Sequence, residues 1–243
     1  MPICIPEEHT RTAAMLSEAG INRLSNAQVA VFGVGGVGGH LAEALARAGV
    51  GHIVLVDRDT VSLSNINRQA IALHSTVGRP KVEVMAERIH DINPQCVVDA
   101  YMMFYLPETA DQFDLSECDY VADCVDTVAA KVELAVRCDL AGTPIIAAMG
   151  AGNKLYPERF RISDIYKTET DPLARVMRRE LKKRGIKKLL CVWSDEQPKC
   201  STVMGENGKP APASVSFVPS AMGLIMAGEI VRSIATGKNS ISE

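Results

Sequence analysis

Val29-Ala-Val-Phe-Gly-Val-Gly-Gly-Val-Gly-Gly39 is followed by Leu41, Ala44, Leu45 and Ala48 at helical spacing, and then by Ile53-Val-Leu-Val-Asp57. An apolar run, a glycine turn, a helix, a second apolar run and an acid make up the opening of a nucleotide-binding α/β unit. Gly33, Gly35, Gly36 and Gly38 let the backbone turn tightly and approach a phosphate. The helix N-terminus beyond them offers free N–H groups and the positive end of its dipole. Asp57 falls where a carboxylate accepts a hydrogen bond from a ribose hydroxyl. Glycines also serve close helix–strand packing, and it is the flanking strand, helix and acid that favour a nucleotide here.

Working downstream, Arg58 to Gln69 forms a polar loop containing Asp59, Asn65, Asn67 and Arg68. Loops at the carboxyl ends of parallel strands are where such folds bind ligands. Asn65, Asn67 and Arg68 can donate to phosphate oxygens, and the guanidinium of Arg68 offers a two-pronged fork. Gly78-Arg-Pro-Lys81 begins a helix with proline in its first turn, carried on by Val82, Met85, Ala86 and Ile89. Lys81 lies in that first turn, where a lysine is slightly unfavourable against the helix dipole, and its ammonium is within reach of the same phosphate region. Val97 to Tyr101 reads as a strand and Asp111 to Glu117 as an acidic surface segment. Tyr120 to Asp126 is a strand end finishing in two acids, with Thr127 as the cap of the next helix. A carboxylate in that position suits Mg²⁺ held against a triphosphate, and Asp126 is the better candidate because Asp123 lies within the strand pattern. Pro144 to Met149 is a fifth buried strand.

Upstream, residues 7–25 read as one or two short helices, with Arg11 early among them as a candidate ligand. Beyond Gly150-Ala-Gly-Asn-Lys154 the pattern changes. Arg159 to Ser163 and Lys188 to Ser194 read as half-exposed strands. Between them a helix buries Leu173, Val176, Met177, Glu180 and Leu181 on one face. Residues 173–188 carry eight basic side chains and one acid, in a chain whose net charge is −3. Such segregation points to a polyanion such as nucleic acid. Cys200 to Ser214 reads as a loop, Ser214 to Val218 as a strand, and Pro219 to Ala235 as a helix for the core or a dimer interface.

Composition narrows the class further. At 243 residues with 47% hydrophobic and 23% charged side chains, the chain has the make-up of a soluble α/β protein. Its seven cysteines contain no Cys-x-x-Cys pair, which argues against a disulfide framework or a four-thiolate zinc site and for reduced thiols. No signal pattern and no apolar run of membrane-spanning length is read, so the expected location is cytoplasmic, with no membrane. The expected architecture is a Rossmann-like, mostly parallel α/β core over residues 1–150. A smaller mixed C-terminal extension over 151–243 carries the basic helix, a loop and the last packing helix.

An NAD-dependent dehydrogenase would use the glycine turn and Asp57, and leaves Arg68, Lys81 and Asp126 without a task. A lysine, an arginine and a metal-binding acid are what ATP needs when its α-phosphorus is attacked by a carboxylate. Gly33-x-Gly-Gly-Val-Gly38, Val56-Asp-x-Asp-x-Val61, Ser64-Asn-Ile-Asn-Arg-Gln69, Gly78-x-Pro-Lys81 and Asp123-x-x-Asp126 together resemble the ubiquitin-activating-type (ThiF/MoeB-like) adenylyltransferases. Within that superfamily the chain looks most like the tRNA threonylcarbamoyladenosine dehydratases. That likeness rests on Arg11-Thr12, Met149-Gly-Ala-Gly-Asn-Lys154, Asp164-Ile-Tyr-Lys167, the Arg178 to Lys188 run and Ser216-Phe-Val-Pro-Ser220.

The resemblance implies ATP-dependent adenylation of the threonylcarbamoyl carboxylate on tRNA, then ring closure with net loss of water. By position, Asp57 would hold the ribose, Arg68 and Lys81 the phosphates, and Asp126 Mg²⁺. Arg11 would reach the nucleotide across a homodimer. A sulfur-transfer protein is a further candidate partner. The alternative within the superfamily is an adenylyltransferase for the C-terminus of a sulfur-carrier or ubiquitin-like protein. Sulfur-transfer members often carry paired Cys-x-x-Cys zinc ligands, and some relatives have a cysteine where this chain has none between Met204 and Ala221. Ring closure within one activated substrate needs no enzyme thioester, so Cys191 and Cys200 are expected to be inert.

Overall fold

The apolar runs pair into one seven-stranded sheet, of order β3-β2-β1-β4-β5-β7-β6. The computed structural model describes residues 5–200 and 212–238. The strands are β1 (Gln28–Phe32), β2 (His52–Val56), β3 (Val97–Tyr101), β4 (Tyr120–Asp123), β5 (Ile145–Ala148), β6 (Phe160–Asp164) and β7 (Leu190–Ser194). All pairings are parallel except that of β6 with β7. β1 sits between β2 and β4, with Phe32 level with Val56 on one side and Asp123 on the other. The chain winds outward from β1 in both directions, so the ends of β1 and β4 flank a topological switch point, where open α/β sheets bind ligands.

Helices α1 (Thr10–Ser25), α2 (Gly38–Arg47), α3 (Lys81–Ile92) and α6 (Phe217–Thr236) cover one face. Helices α4 (Val128–Ala141) and α5 (Pro172–Lys183) cover the other. The first layer packs Leu41, Leu45, Met85, Met222, Met226 and Ile230, all fully buried, against the sheet. The second packs Leu134, Met177 and Leu181. Helix α1 is two short helices joined at Ser17 (φ 66°, ψ 161°), whose hydroxyl accepts from Gly20 N–H and restarts the coil.

Three sequence expectations need correction. β7 is buried along its whole length rather than half-exposed, because β5 and β6 flank it and helices cover both faces. The strand expected over Ser214 to Val218 is absent. Ser214 has no regular secondary structure and Phe217 already opens α6, with Pro219 in its first turn. Third, α6 is long and apolar enough to cross a membrane by composition, with mean hydropathy 1.3. It is instead packed on α1 and α2, with Glu229 only 4% exposed. Most of the loop expected from Cys200 to Ser214 lies outside the described residues.

Candidate functional site

Five strand exits converge on one cleft of about 430 Å³ at the switch point. β1 contributes Gly33, Gly35 and Gly36, and β2 contributes Asp57, Arg58 and Asp59. β3 contributes Met103, Phe104 and Tyr105, β4 contributes Asp126, and β5 contributes Ala151 and Gly152. Asn65, Arg68 and Lys81 also line it. Asn67, Gly38 and Arg11 do not.

Two positions of the glycine turn leave no room for a side chain: a Cβ on Gly38 would lie 1.8 Å from the Gly33 carbonyl oxygen. Gly33 has φ +90°, and a Cβ there would lie 2.7 Å from the Cys124 carbonyl. A Cβ on Gly36 would press on Pro219 and on Cγ of Arg68. Asp57 braces the turn from β2: its Oδ2 accepts from Val34 N–H at 2.7 Å and its Oδ1 from Asp59 N–H at 2.8 Å. Each carboxylate oxygen keeps a second lone pair for a hydroxyl.

The cations are held in place before any ligand arrives. Lys81, the first residue of α3, is 5% exposed and donates from Nζ to Asp59 Oδ2 at 2.8 Å. Arg68 donates from one nitrogen to the Ser64 carbonyl and to Asn67 Oδ1 at 2.8 Å, which leaves the other side of its fork free. Asn67 in turn donates to the Ser214 carbonyl, so it joins the loop to the chain before α6. Asn65 spends its Oδ1 on Ser62 N–H and keeps its amide donors. Gln69 lines the cleft with a buried Oε1 that has no hydrogen-bond partner.

The two acids of the β4 exit separate cleanly. Asp126 is exposed at the cleft, and among the described residues its hydrogen-bond partner is Thr127 Oγ1 at 3.3 Å. Thr127 stands at the N-cap of α4 but makes no capping bond, since its hydroxyl turns to Asp126. Asp123 points into the protein, where its Oδ1 meets Lys131 Nζ at 3.0 Å with both side chains fully buried. Burial pushes the Asp123 carboxyl upward and Lys131 opposes that shift. Lys131 also donates to the Val125 carbonyl, so the pair underpins the loop bearing Asp126.

Sequence reasoning missed the β3 exit. Arg58 stacks over Phe104 at 3.4 Å from the ring centroid, and Met103 and Tyr105 flank it, giving the cleft an apolar wall. An aromatic side chain three residues past a parallel strand was the available signal. Among the described residues no group of three or more metal-ligating side chains occurs. Mg²⁺ needs no such cage, since one carboxylate and substrate phosphates commonly hold it.

Cys191 is wholly buried in β7, and burial pushes its thiol up to about 12. A thiol in that state is no nucleophile at neutral pH. Cys191→Ser is therefore expected to retain turnover within a few-fold of the parent, the hydroxyl donating to the Ser163 carbonyl as the thiol does. Complete loss of product would reinstate a thioester route.

On α5 the charges are partly spent. Glu180 pairs with Arg179, Lys183 and Arg184. Lys183 foremost, with Arg184 and Arg179, holds the Glu180 carboxyl down at about 2. Arg178, half-buried, turns inward to the carbonyl and hydroxyl of Thr168. Arg175, Lys182, Lys187 and Lys188 are exposed and form no ion pair among the described residues.

Comparison with known proteins follows this geometry. Residues 9–242 match the model of the ThiF family. The chain is 48% identical over 236 residues to the tRNA threonylcarbamoyladenosine dehydratase of Bacillus subtilis (strain 168), covering 92% of this chain and 93% of that one. Its fold matches the crystal structure of the E. coli tRNA N6-threonylcarbamoyladenosine dehydratase in complex with AMP (TM-score 0.88, 32% identity, 97% of this chain and 98% of that one). The ATP complex of the same E. coli enzyme matches with TM-score 0.87, at the same identity and coverage.

Proposed function

The chain belongs to the ThiF family, and on that premise we propose that it is an ATP-dependent tRNA threonylcarbamoyladenosine dehydratase. The observation that carries this reading is the convergence of the glycine turn, Arg68, Lys81 and Asp126 on one cleft. A carboxylate oxygen of the threonylcarbamoyl side chain forms a bond to the α-phosphorus of ATP, and pyrophosphate leaves with the electrons of the bridging bond. A nucleophile of the same side chain then bonds to the acyl carbon, loses its proton and expels AMP. The net change is loss of one water.

The cleft residues divide that work by chemistry. Asp57 accepts a ribose hydroxyl, and the Met103 to Tyr105 wall receives the base. Arg68 and Lys81 bind the phosphates and stabilise charge on the leaving pyrophosphate. Glycine N–H groups and the N-terminus of α2 cover the remaining phosphate oxygens. Asp126 would hold Mg²⁺, which supplies Lewis-acid polarisation of the phosphoryl group when bound. Arg11 is exposed on α1, outside its own chain's cleft, and we assign it to the cleft of a second copy in a homodimer. The location we assign is the cytoplasm.

The test is the purified protein with ATP, Mg²⁺ and threonylcarbamoyladenosine-bearing tRNA, followed by nucleoside mass analysis. A product lighter by one water is expected. ATP-independent NAD reduction without that product would refute the reading.

We assign the tRNA backbone to the exposed cations of α5 and the segment after it. Lys182→Glu with Lys188→Glu is expected to weaken tRNA binding and flatten its salt dependence. Each phosphate contact contributes roughly 0.7–0.9 to the log–log slope. ATP affinity without tRNA should hold, because neither side chain lines the cleft and charges farther away than a Debye length of about 8 Å are screened. Titrating both ligands over several salt concentrations checks this, and an unchanged tRNA slope would leave the basic face merely solvated.

A further inference from the structure

The turn at 150–154 carries Ala151 and Gly152 into the cleft, and a buried ion pair ties it to the basic helix. Lys154, 3% exposed, donates from Nζ to Asp171 Oδ2 at 3.0 Å and to the Gly150 carbonyl. The same Oδ2 accepts from Gly150 N–H at 3.1 Å. Asp171 Oδ1 accepts from Ala174 N–H at 3.0 Å, which is the N-cap bond of α5. One carboxylate therefore closes the first turn of the helix that carries the cations and holds the loop that lines the nucleotide cleft.

The contacts around this link leave little slack. A Cβ on Gly150 would lie 3.2 Å from Asp171 Oδ2, and one on Gly152 would lie 2.7 Å from Pro212. Asn153 donates from its N–H to the Ala213 carbonyl and accepts from Ala213 N–H, both at 2.7 Å. Arg178 fixes the second turn of α5 to Thr168. A buried ion pair is seldom more stabilising than apolar side chains of the same volume, so fold stability alone gives weak reason for one here.

We propose that Lys154 and Asp171 are positioning residues that fix the basic helix relative to the glycine turn. An RNA held by its phosphates on α5 then presents its carboxylate at the α-phosphate. The inference rests on the function proposed above. Remote binding energy accelerates a reaction only when it is converted into placement of the reacting atoms.

The experiment is the double variant Lys154→Met, Asp171→Asn. Asparagine can still accept from Ala174 N–H, and methionine fills the lysine stem without leaving a charge buried. Thermal melting, ATP titration without RNA, and titration with threonylcarbamoyladenosine-bearing tRNA should stay close to the parent. KM for the tRNA should hold while kcat falls on the order of 10²-fold, the cost of about 1 Å of misplacement. Parental kcat would overturn the proposal. So would loss of ATP or tRNA binding in proportion to turnover, because the pair would then hold a binding site and not a spacing.

Should the double variant fail to fold, Lys154→Met with Asp171→Ser likewise leaves no charge buried and keeps an N-cap acceptor for Ala174 N–H. It should show the same kcat-only loss, on the order of 10²-fold, and parental kcat in it would equally overturn the proposal. A parent chain that forms no product lighter by one water removes the proposed function and this inference with it. An active parent with an unchanged variant removes the inference alone.

Discussion

Lys81→Ala is expected to cut product formation by on the order of 10²–10³-fold, and Asp126→Asn by a similar factor, with the fold intact in both. The two residues face the same cleft, Lys81 from the first turn of α3 and Asp126 from the exit of β4. Lys81 is buried, yet its partner Asp59 keeps half of its side chain in solvent. Removing the ammonium therefore strands no buried carboxylate, and the structural cost is that of a surface pair. Asp126 makes one long contact, to Thr127, so the amide is accommodated without rearrangement. Thermal melts should overlay the parent while nucleoside mass analysis shows the product lost. Near-normal turnover in both variants would remove them from the phosphate and metal roles assigned here.

What the sequence made legible follows from where its signals are local. β1, β2, β4 and β5 are short apolar runs bounded by glycine or acid, and the motif acids and cations lie within a few residues of the strand ends. Asp123 and Asp126 are told apart because Asp123 belongs to the apolar strand pattern of β4, whereas Asp126 lies three residues past its end. β7 was misjudged for the reason that its neighbours decide its burial: nothing in Leu190 to Ser194 announces β6 on its edge. Phe217 and Val218 have strand-like side chains, yet they sit at the start of a helix whose remaining turns pack on α1 and α2.

The buried ion pairs were the least legible feature. Lys131 reads as a surface position of an ordinary helix, and its partner lies eight residues away across a turn. Lys154 and Asp171 lie seventeen positions apart, with a whole strand between them. Neither spacing is a helical or strand repeat, so only the folded chain brings the charges together. Both pairs brace loops at the cleft, one under Asp126 and one under Gly152.

Lys131→Met should destabilise the protein by roughly 3–5 kcal/mol, the usual consequence of removing one member of a buried pair. Asp123 would be left fully buried with its Oδ1 accepting only from Val125 N–H, and its Oδ2 already has no partner. The double variant Lys131→Met, Asp123→Leu should recover most of that loss, because no charge then remains to be desolvated. The single variant also carries a pH signature. Burial already pushes the Asp123 carboxyl upward against the pull of Lys131. Without the lysine the folded state keeps its proton far above the unfolded value of about 3.9. Between those two limits the folded state binds the proton that the unfolded state has released. Stability then falls by about 1.4 kcal/mol per pH unit as the pH rises. Because the carboxyl is raised in the parent as well, the deficit should stay level up to the parent's folded value and widen above it, until the still higher value of the variant is reached. Denaturant titrations of parent, single and double variants at several pH values measure this directly. A deficit that stays flat with pH would mean that Asp123 is not the group left unpaired, and that Lys131 supports the Asp126 loop through the Val125 carbonyl alone.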